Sequence, residues 1–280
     1  MSGRIGGGWN IGAVTNNRDS ARLEKGAAKF EIAEKTKYPV KEASDVVSLP
    51  GGKFLIVGDT ADKVGVVDKD GKVTKLKLPG LPNGNSQLEG VAYDPVRHHL
   101  LVSREEKGQI LRYEWNPEKD AAPKLEKTFD LKKSDGPKNK GVEGLAYLSG
   151  DFSPTGTPQL IAAREGSPRE LMLLGDGGGG KPIKIKLEDQ VKDVCADFSA
   201  VAVDPKTGNV FISSDESSTV AQIELKRDGD KITGRLVQSF PLRDKKDKPL
   251  ERIEGLTFNE KGDLFVLTEN DGALHKLKRK

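Results

Sequence analysis

Apolar and polar positions alternate along most of this chain in short runs bounded by Gly, Pro, Asn and Asp. That period of two marks half-buried strands, and the wider spacing of an amphipathic helix is almost missing. The runs also recur. ASDVVSLP at 43–50, LEGVAYDP at 88–95, VEGLAYLS at 142–149, FSAVAVDP at 198–205 and IEGLTFNE at 253–260 superpose, their second residues (Ser44, Glu89, Glu143, Ser199, Glu254) lying 45, 54, 56 and 55 positions apart. A second apolar run follows each: KFLIVGDT from 53, HLLVSREE from 99, QLIAAREG from 159, NVFISSDE from 209 and DLFVLTEN from 263. Turn residues such as LPGG, DPVRH, DPKTGN and NEKGD separate the pairs, so every unit opens with a β-hairpin.

A third strand follows in each unit (KVGVVDKD, QILRYEWN, ELMLLGDG, TVAQIELK, ALHKLKRK), and in four units a fourth (KVTKLKLP, KLEKTFDL, IKIKL, GRLVQSFP). Repeated sets of four antiparallel strands predict an all-β, five-bladed β-propeller. The last unit has three strands, and KFEIAEKT at 29–36 is a spare strand that predicts closure of the last blade by the N-terminal stretch. Closure of that kind leaves no open sheet edge. On this reading 28–280 form a single propeller domain and 1–27 a Gly-rich flexible lead-in; six blades is the alternative, should the N-terminal stretch hold more than one strand.

Composition removes several function classes. Apolar residues make up 35% of the chain and 32 residues are Gly, enough to bury a core. Lys and Arg number 46 against 43 Asp and Glu, and the net +3 is spread along the chain, which argues against nucleic acid as a partner. No apolar run is long enough for a membrane span, and no export signal is evident at the N-terminus. One cysteine, Cys195, and three histidines, His98, His99 and His275, exclude a disulfide framework and leave little for zinc or triad chemistry. The expected state is a monomer.

The chemistry suggested by the repeats is acidic. The seventh residue of the second strand is a carboxylate in all five units: Asp59, Glu105, Glu165, Asp215 and Glu269. Glu89, Glu143 and Glu254 occupy the second position of the first strand. In a propeller the start of the first strand and the end of the second share one mouth of the central channel, so these eight carboxylates form one ring. Two carboxylates about 4 Å apart repel by roughly 4 kcal/mol at an effective dielectric near 20, so such a ring needs protons, cationic side chains or a bound cation. Arg104 and Arg164, each beside an acid, would reach the neighbouring blade's acid, giving blade-to-blade ion pairs. A Ca²⁺ ion, which takes six to eight oxygens, would use the eight carboxylates as ligands instead.

Other motifs carry less. DKDG at 68–71 and GDGGGG at 175–180 read as hairpin turns, since neither continues into a calcium loop or a phosphate-binding helix. GRIGGGW at 3–9 fails the same test. Ser217 and Ser218 lack a nearby His, and Cys195 reads as a small buried hydrophobe.

The LEGVAYDP, VEGLAYLS and IEGLTFNE openings, the REE, REG and DES endings, and DFSAVAVDPKTGNVFISSDESSTV at 197–220 resemble the SdiA-regulated (YjiK-like) bacterial proteins over about residues 38–280. The resemblance implies a β-propeller, often exported or tethered outside the cytoplasmic membrane, and related to phytase-like and esterase-like propellers. It maps the family's acidic motif positions onto Glu89, Glu143, Glu254, Glu105, Glu165, Asp215 and Glu269. Two functions follow as expectations. One is a non-catalytic binding or scaffold module that presents its acidic mouth, with or without Ca²⁺, to a small ligand or protein. The other is a metal-dependent hydrolase of lactonase, esterase or phytase type, with Glu89, Glu143 and Glu254 as ligands and Glu105 or Asp215 as base.

Overall fold

The computed structural model describes residues 30–38, 40, 42–59, 63–82, 86–131, 141–166, 168–175, 177–270 and 272–279. The lead-in predicted for 1–27 lies outside them. In chain order, β1 (Phe30–Lys37) precedes the first repeat, β2 (Ala43–Leu49), β3 (Lys53–Gly58), β4 (Lys63–Val67) and β5 (Val73–Lys77). The second is β6 (Leu88–Asp94), β7 (His99–Arg104), β8 (Gln109–Glu114) and β9 (Lys124–Asp130). The third is β10 (Val142–Leu148), β11 (Gln159–Arg164), β12 (Glu170–Gly175) and β13 (Gly179–Leu187), followed by a short helix α1 (Asp189–Val194). The fourth is β14 (Ala200–Val203), β15 (Val210–Ser214), β16 (Thr219–Asp228) and β17 (Lys231–Pro241), and the fifth is β18 (Ile253–Phe258), β19 (Leu264–Thr268) and β20 (Ala273–Arg279).

The repeats fold into four-stranded antiparallel sheets, as their hairpin spacing dictates. β1 pairs antiparallel with β20, from Phe30 opposite Arg279 to Lys37 opposite Ala273, and completes the sheet of the fifth repeat. The third and fourth repeats share one eight-stranded sheet, which the repeat pattern did not indicate. Their outer strands run parallel where Ile185, Lys186 and Leu187 face Ile232, Thr233 and Gly234. The fourth repeat carries the longest hairpin, 10 and 11 residues, and its excess length supplies the edge that β13 adopts.

Side chains from consecutive sheets interlock. Leu55, Val57 and Val64 of the first repeat pack with Val91, Leu100 and Tyr113 of the second. Second meets third through Ile110 and Phe129 against Leu160 and Met172; third meets fourth through Leu171 and Leu173 against Ile212 and Ala221. Phe211 and Phe240 of the fourth pack on Ile253 and Leu264 of the fifth. The first repeat also packs on the fifth, with Val46, Phe54 and Ile56 against Leu267 and Leu274. Truncating a fully buried aromatic in such a seam, Tyr113 or Phe240, would cost about 3–5 kcal/mol. The architecture is that of a β-propeller, with β2, β6, β10, β14 and β18 innermost and each paired on one side only.

Candidate functional site: an acidic mouth and a closed axis

The first strands open with a local fault. Pairing shifts register between Ala43 and Asp45, Leu88 and Val91, Val142 and Gly144, and Ile253 and Gly255. A bulge adds one residue to one strand and re-aims its side chain. Ser44, Glu89, Glu143 and Glu254 are those added residues, which explains why the repeat reads Glu-Gly: Glu stands on the bulge and Gly at the tight spot after it. In the fourth repeat Ser199 takes the place, its N–H donating to the Ser213 carbonyl at 3.0 Å.

The acids meet. Burial first, then a hydrogen bond with Asp59 and repulsion from Glu143, Asp59 and Glu105, push the Glu89 carboxyl up to about 10. Burial and the charges of Glu105, Glu165, Glu254 and Asp59 push Glu143 up to about 9. Glu254 is raised to about 7 by burial, Asp215 and Glu269, against an opposing pull from Arg252. All eight carboxylates singled out in the sequence thus act on one another at one mouth. Their donor set is hard oxygen, which suits a cation such as Ca²⁺ and not zinc. As placed, they form pairs and a loose ring; among the described residues no three His, Cys, Asp or Glu side chains stand as a ready-made metal cage.

Several of these acids also serve the framework. Glu105 Oε1 accepts the Gly141 N–H at 3.1 Å, and Asp215 Oδ1 accepts the Ile253 N–H at 2.8 Å. Each clasps the end of one repeat's second strand to the start of the next repeat. Arg252 donates to Glu269 Oε2 at 2.7 Å from Nε, with Nη2 at 2.5 Å. Arg164 does not span blades as expected. It stands opposite Glu170 in the β11/β12 register and donates to it at 2.8 Å, so the nearer cross-strand partner wins. The Arg104 Nε is buried without a hydrogen-bond partner.

The sequence reading missed one residue at the centre. Asp45 occupies the third position of the first strand, where the other copies have Gly90, Gly144, Ala200 and Gly255. It is fully buried. One carboxyl oxygen accepts the Val46 N–H at 2.8 Å and the other the Val91 N–H at 2.9 Å, while the Leu145 and Leu256 N–H groups act on it from further off. Two innermost strands, β2 and β6, are thus tied to one carboxyl, and β10 and β18 bring an N–H toward it. Burial drives it well above the ordinary aspartate range, although all four N–H groups pull the other way. The glycines admit this closeness: a Cβ on Gly144 would lie 2.8 Å from the Val201 nitrogen, and one on Gly255 3.0 Å from that of Val46. The channel foreseen from the repeats is closed at this level. The signal was legible as the one acid in a column of Gly and Ala.

Beyond Asp45 the innermost strands regain regular alternation and enclose a funnel of about 180 Å³ at the opposite mouth, lined by Val47, Ala92, Ala146, Val203, Tyr93, Tyr147 and Phe258, among others. His98 lies at that end, bonded to the Tyr93 hydroxyl at 2.9 Å, and His99 lies 3.3 Å from Glu126. His275 is buried against the Thr268 hydroxyl at 2.9 Å. Cys195 is buried, its thiol pushed up to about 12 by burial and by Asp197, as befits a core hydrophobe. In DKDG, Asp68 accepts the Asp70 and Lys72 N–H groups, which makes the segment a hairpin turn.

A sequence model described as SdiA-regulated matches residues 118–272. No curated protein matches the chain. Among solved structures, an aldose sugar dehydrogenase from Streptomyces coelicolor in its PQQ-bound form superposes with a TM-score of 0.52 at 14% identity, over 90% of this chain and 98% of that one. A Thermus thermophilus protein assigned as an oxidoreductase (glucose dehydrogenase) gives 0.54 at 12%, over 90% and 100%. A streptogramin B lyase gives 0.50 at 10%, over 90% and 98%. At these identities the likeness is one of fold. Among the described residues no helix is long and apolar enough to cross a membrane.

Proposed function

Because the chain belongs to the SdiA-regulated family, and its fold is shared by proteins of unlike chemistry, we propose that it is a non-catalytic binding module whose acidic mouth holds Ca²⁺. In this reading residues 28–280 form one five-bladed propeller and 1–27 a lead-in. The order of β2, β6, β10, β14 and β18 around Asp45 supports that blade count. Glu89, Glu143 and Glu254 are the inner ligands, and Asp59, Glu105, Glu165, Asp215 and Glu269 the outer acids that set the field. A small ligand or a protein partner would then meet the ion at the rim.

One observation carries the proposal: Glu89, Glu143 and Glu254 stand half-buried on the bulges that open their strands at one mouth, where partial burial and the surrounding acids raise all three carboxyls. A divalent cation would supply the missing positive charge and displace their protons. The hydrolase alternative is weakened by the same geometry. Glu105 and Asp215, its candidate bases, already accept backbone N–H groups and sit in the framework.

Calcium at about 100 times its dissociation constant should raise stability by roughly 2.7 kcal/mol, read as a higher melting temperature than in chelator. The double variant Glu89→Gln, Glu143→Gln should melt normally in chelator and lose the calcium response. An unchanged melt in the parent protein removes the ion. Turnover of a lactone, aryl ester or phosphoester that vanishes in the double variant would establish the hydrolase instead.

A further inference from the structure

The innermost strands β2, β6, β10, β14 and β18 each pair on one side only. In such an edge strand every second residue turns both its N–H and its C=O away from its partner, here toward the axis. The donors to Asp45 fix the phase: the N–H groups of Val46 and Val91 face the axis, and Leu145, Val201 and Leu256 hold the same position in their repeats. Two residues further on, about 7 Å along the strand, come Ser48, Tyr93, Tyr147, Val203 and Phe258, in the same phase and within the funnel. Ser48 bears this out, since its N–H donates at 3.0 Å to the Thr257 hydroxyl of β18 and not to β3. Tyr93, Tyr147, Val203 and Phe258 therefore present paired N–H and C=O groups to the cavity.

We propose that the funnel is a second binding site, separate from the acidic mouth, for a small uncharged aromatic carboxamide. Volume sets the size: a cavity of about 150 Å³ admits benzene, and this one, at about 180 Å³, admits one six-membered ring with a small substituent. The walls set the body: Val47, Ala92, Ala146 and Val203 are aliphatic, and Tyr93, Tyr147 and Phe258 bring ring edges and faces. The Tyr93 hydroxyl is engaged by His98 and its ring is held edge-on by Trp115, so the residue is a fixed part of the wall. The strand edges set the head group. A carboxylate would oppose the carbonyl oxygens of the same residues and an ammonium their N–H groups, whereas a carboxamide donates to one and accepts from the other. Asp45 closes the axis between the two mouths, so a ligand here does not touch the acid ring.

Titrating isotope-labelled full-length protein with benzamide, benzoate and benzylamine tests this by nuclear magnetic resonance. Benzamide should saturate and move the backbone amide signals of Tyr93, Tyr147, Val203 and Phe258. The two charged analogues should bind at least about tenfold more weakly, the effect of one mismatched hydrogen bond to a charged group. Val203→Trp should fill the mouth and abolish the shifts while leaving the melt and any calcium response intact; if it does not fold, Ala202→Leu takes its place. Absence of saturation by benzamide, equal binding of all three probes, or binding undiminished in a folded filled variant overturns the proposal. None of these outcomes depends on whether the acidic mouth binds calcium.

Discussion

The two mouths are built from the same five strands and differ in almost every physical respect. At one end four of the five strands start on a bulge, and the added residue is Ser44, Glu89, Glu143 or Glu254. At the other end the strands alternate regularly and leave Val47, Ala92, Ala146 and Phe258 around a funnel. Regular alternation sends side chains into the seams between sheets, where they pack; a bulge breaks it and aims a side chain at the rim. Asp45 marks the boundary, the last position before alternation resumes. Charge thus gathers where strand geometry fails, and apolar surface where it holds.

The sharpest way to break that division is to remove its boundary. Asp45→Ala leaves the axis-facing N–H groups of Val46 and Val91 without an acceptor. Each such loss costs about 1–3 kcal/mol, so a destabilisation on the order of 2 kcal/mol or more is expected, read as a lower urea midpoint at constant slope. Asp45→Asn keeps one carbonyl acceptor and should fall between the two. A loss under about 1 kcal/mol for Asp45→Ala would mean that the innermost strands do not depend on this carboxyl.

A second contrast lies in pH, because the acids named so far as raised at a rim all sit at one mouth. A carboxyl raised in the folded state binds its proton more tightly there than in the unfolded chain, so stability falls as pH climbs from the ordinary glutamate range to the folded value. That window runs to about 7 for Glu254, about 9 for Glu143 and about 10 for Glu89. In chelator the melting temperature should therefore decline between pH 5 and pH 8, by several degrees at about 2–4 °C per kcal/mol. Glu224, Asp244 and Asp263, whose carboxyls are lowered, lose stability only below the ordinary carboxylate range and do not disturb the window. Glu89→Gln should flatten the decline, and calcium should reduce it to the part that the buried Asp45 contributes. A melting temperature that rises across this interval in chelator would refute the mutual repulsion.

Much of this contrast is legible in the sequence. The Glu-Gly pairs and the acidic strand ends announced a shared rim, because each repeat places the same residue at the same height. The spare strand at 29–36 announced its pairing with the last repeat, realised as β1 on β20. What escaped was whatever departs from the repeat. Asp45 is a single substitution in a column, and its partners are backbone N–H groups that carry no sequence signature. The parallel seam between β13 and β17 depends on one hairpin outgrowing its neighbours. Arg164 was misjudged because cross-strand register, which puts Glu170 directly opposite, outranks a blade-to-blade reach. The funnel too has no motif, being made of small side chains and strand edges.

The smallest effect tests whether rim acids belong to the ring or to the framework. Glu105 does both: its carboxylate accepts the Gly141 N–H, and its charge is the largest of those raising Glu143. Glu105→Ala forfeits the clasp and should cost about 1 kcal/mol, partly offset by relief of the ring. Glu105→Gln keeps an oxygen for Gly141 and removes only the charge, so in chelator at pH 8 it should match or exceed the parent in melting temperature and lower the Glu143 carboxyl. The sign decides the matter. If the glutamine variant is as weakened as the alanine one, the charge itself holds the clasp; if both equal the parent, the second and third repeats are held by their apolar seam alone, through Ile110 and Phe129.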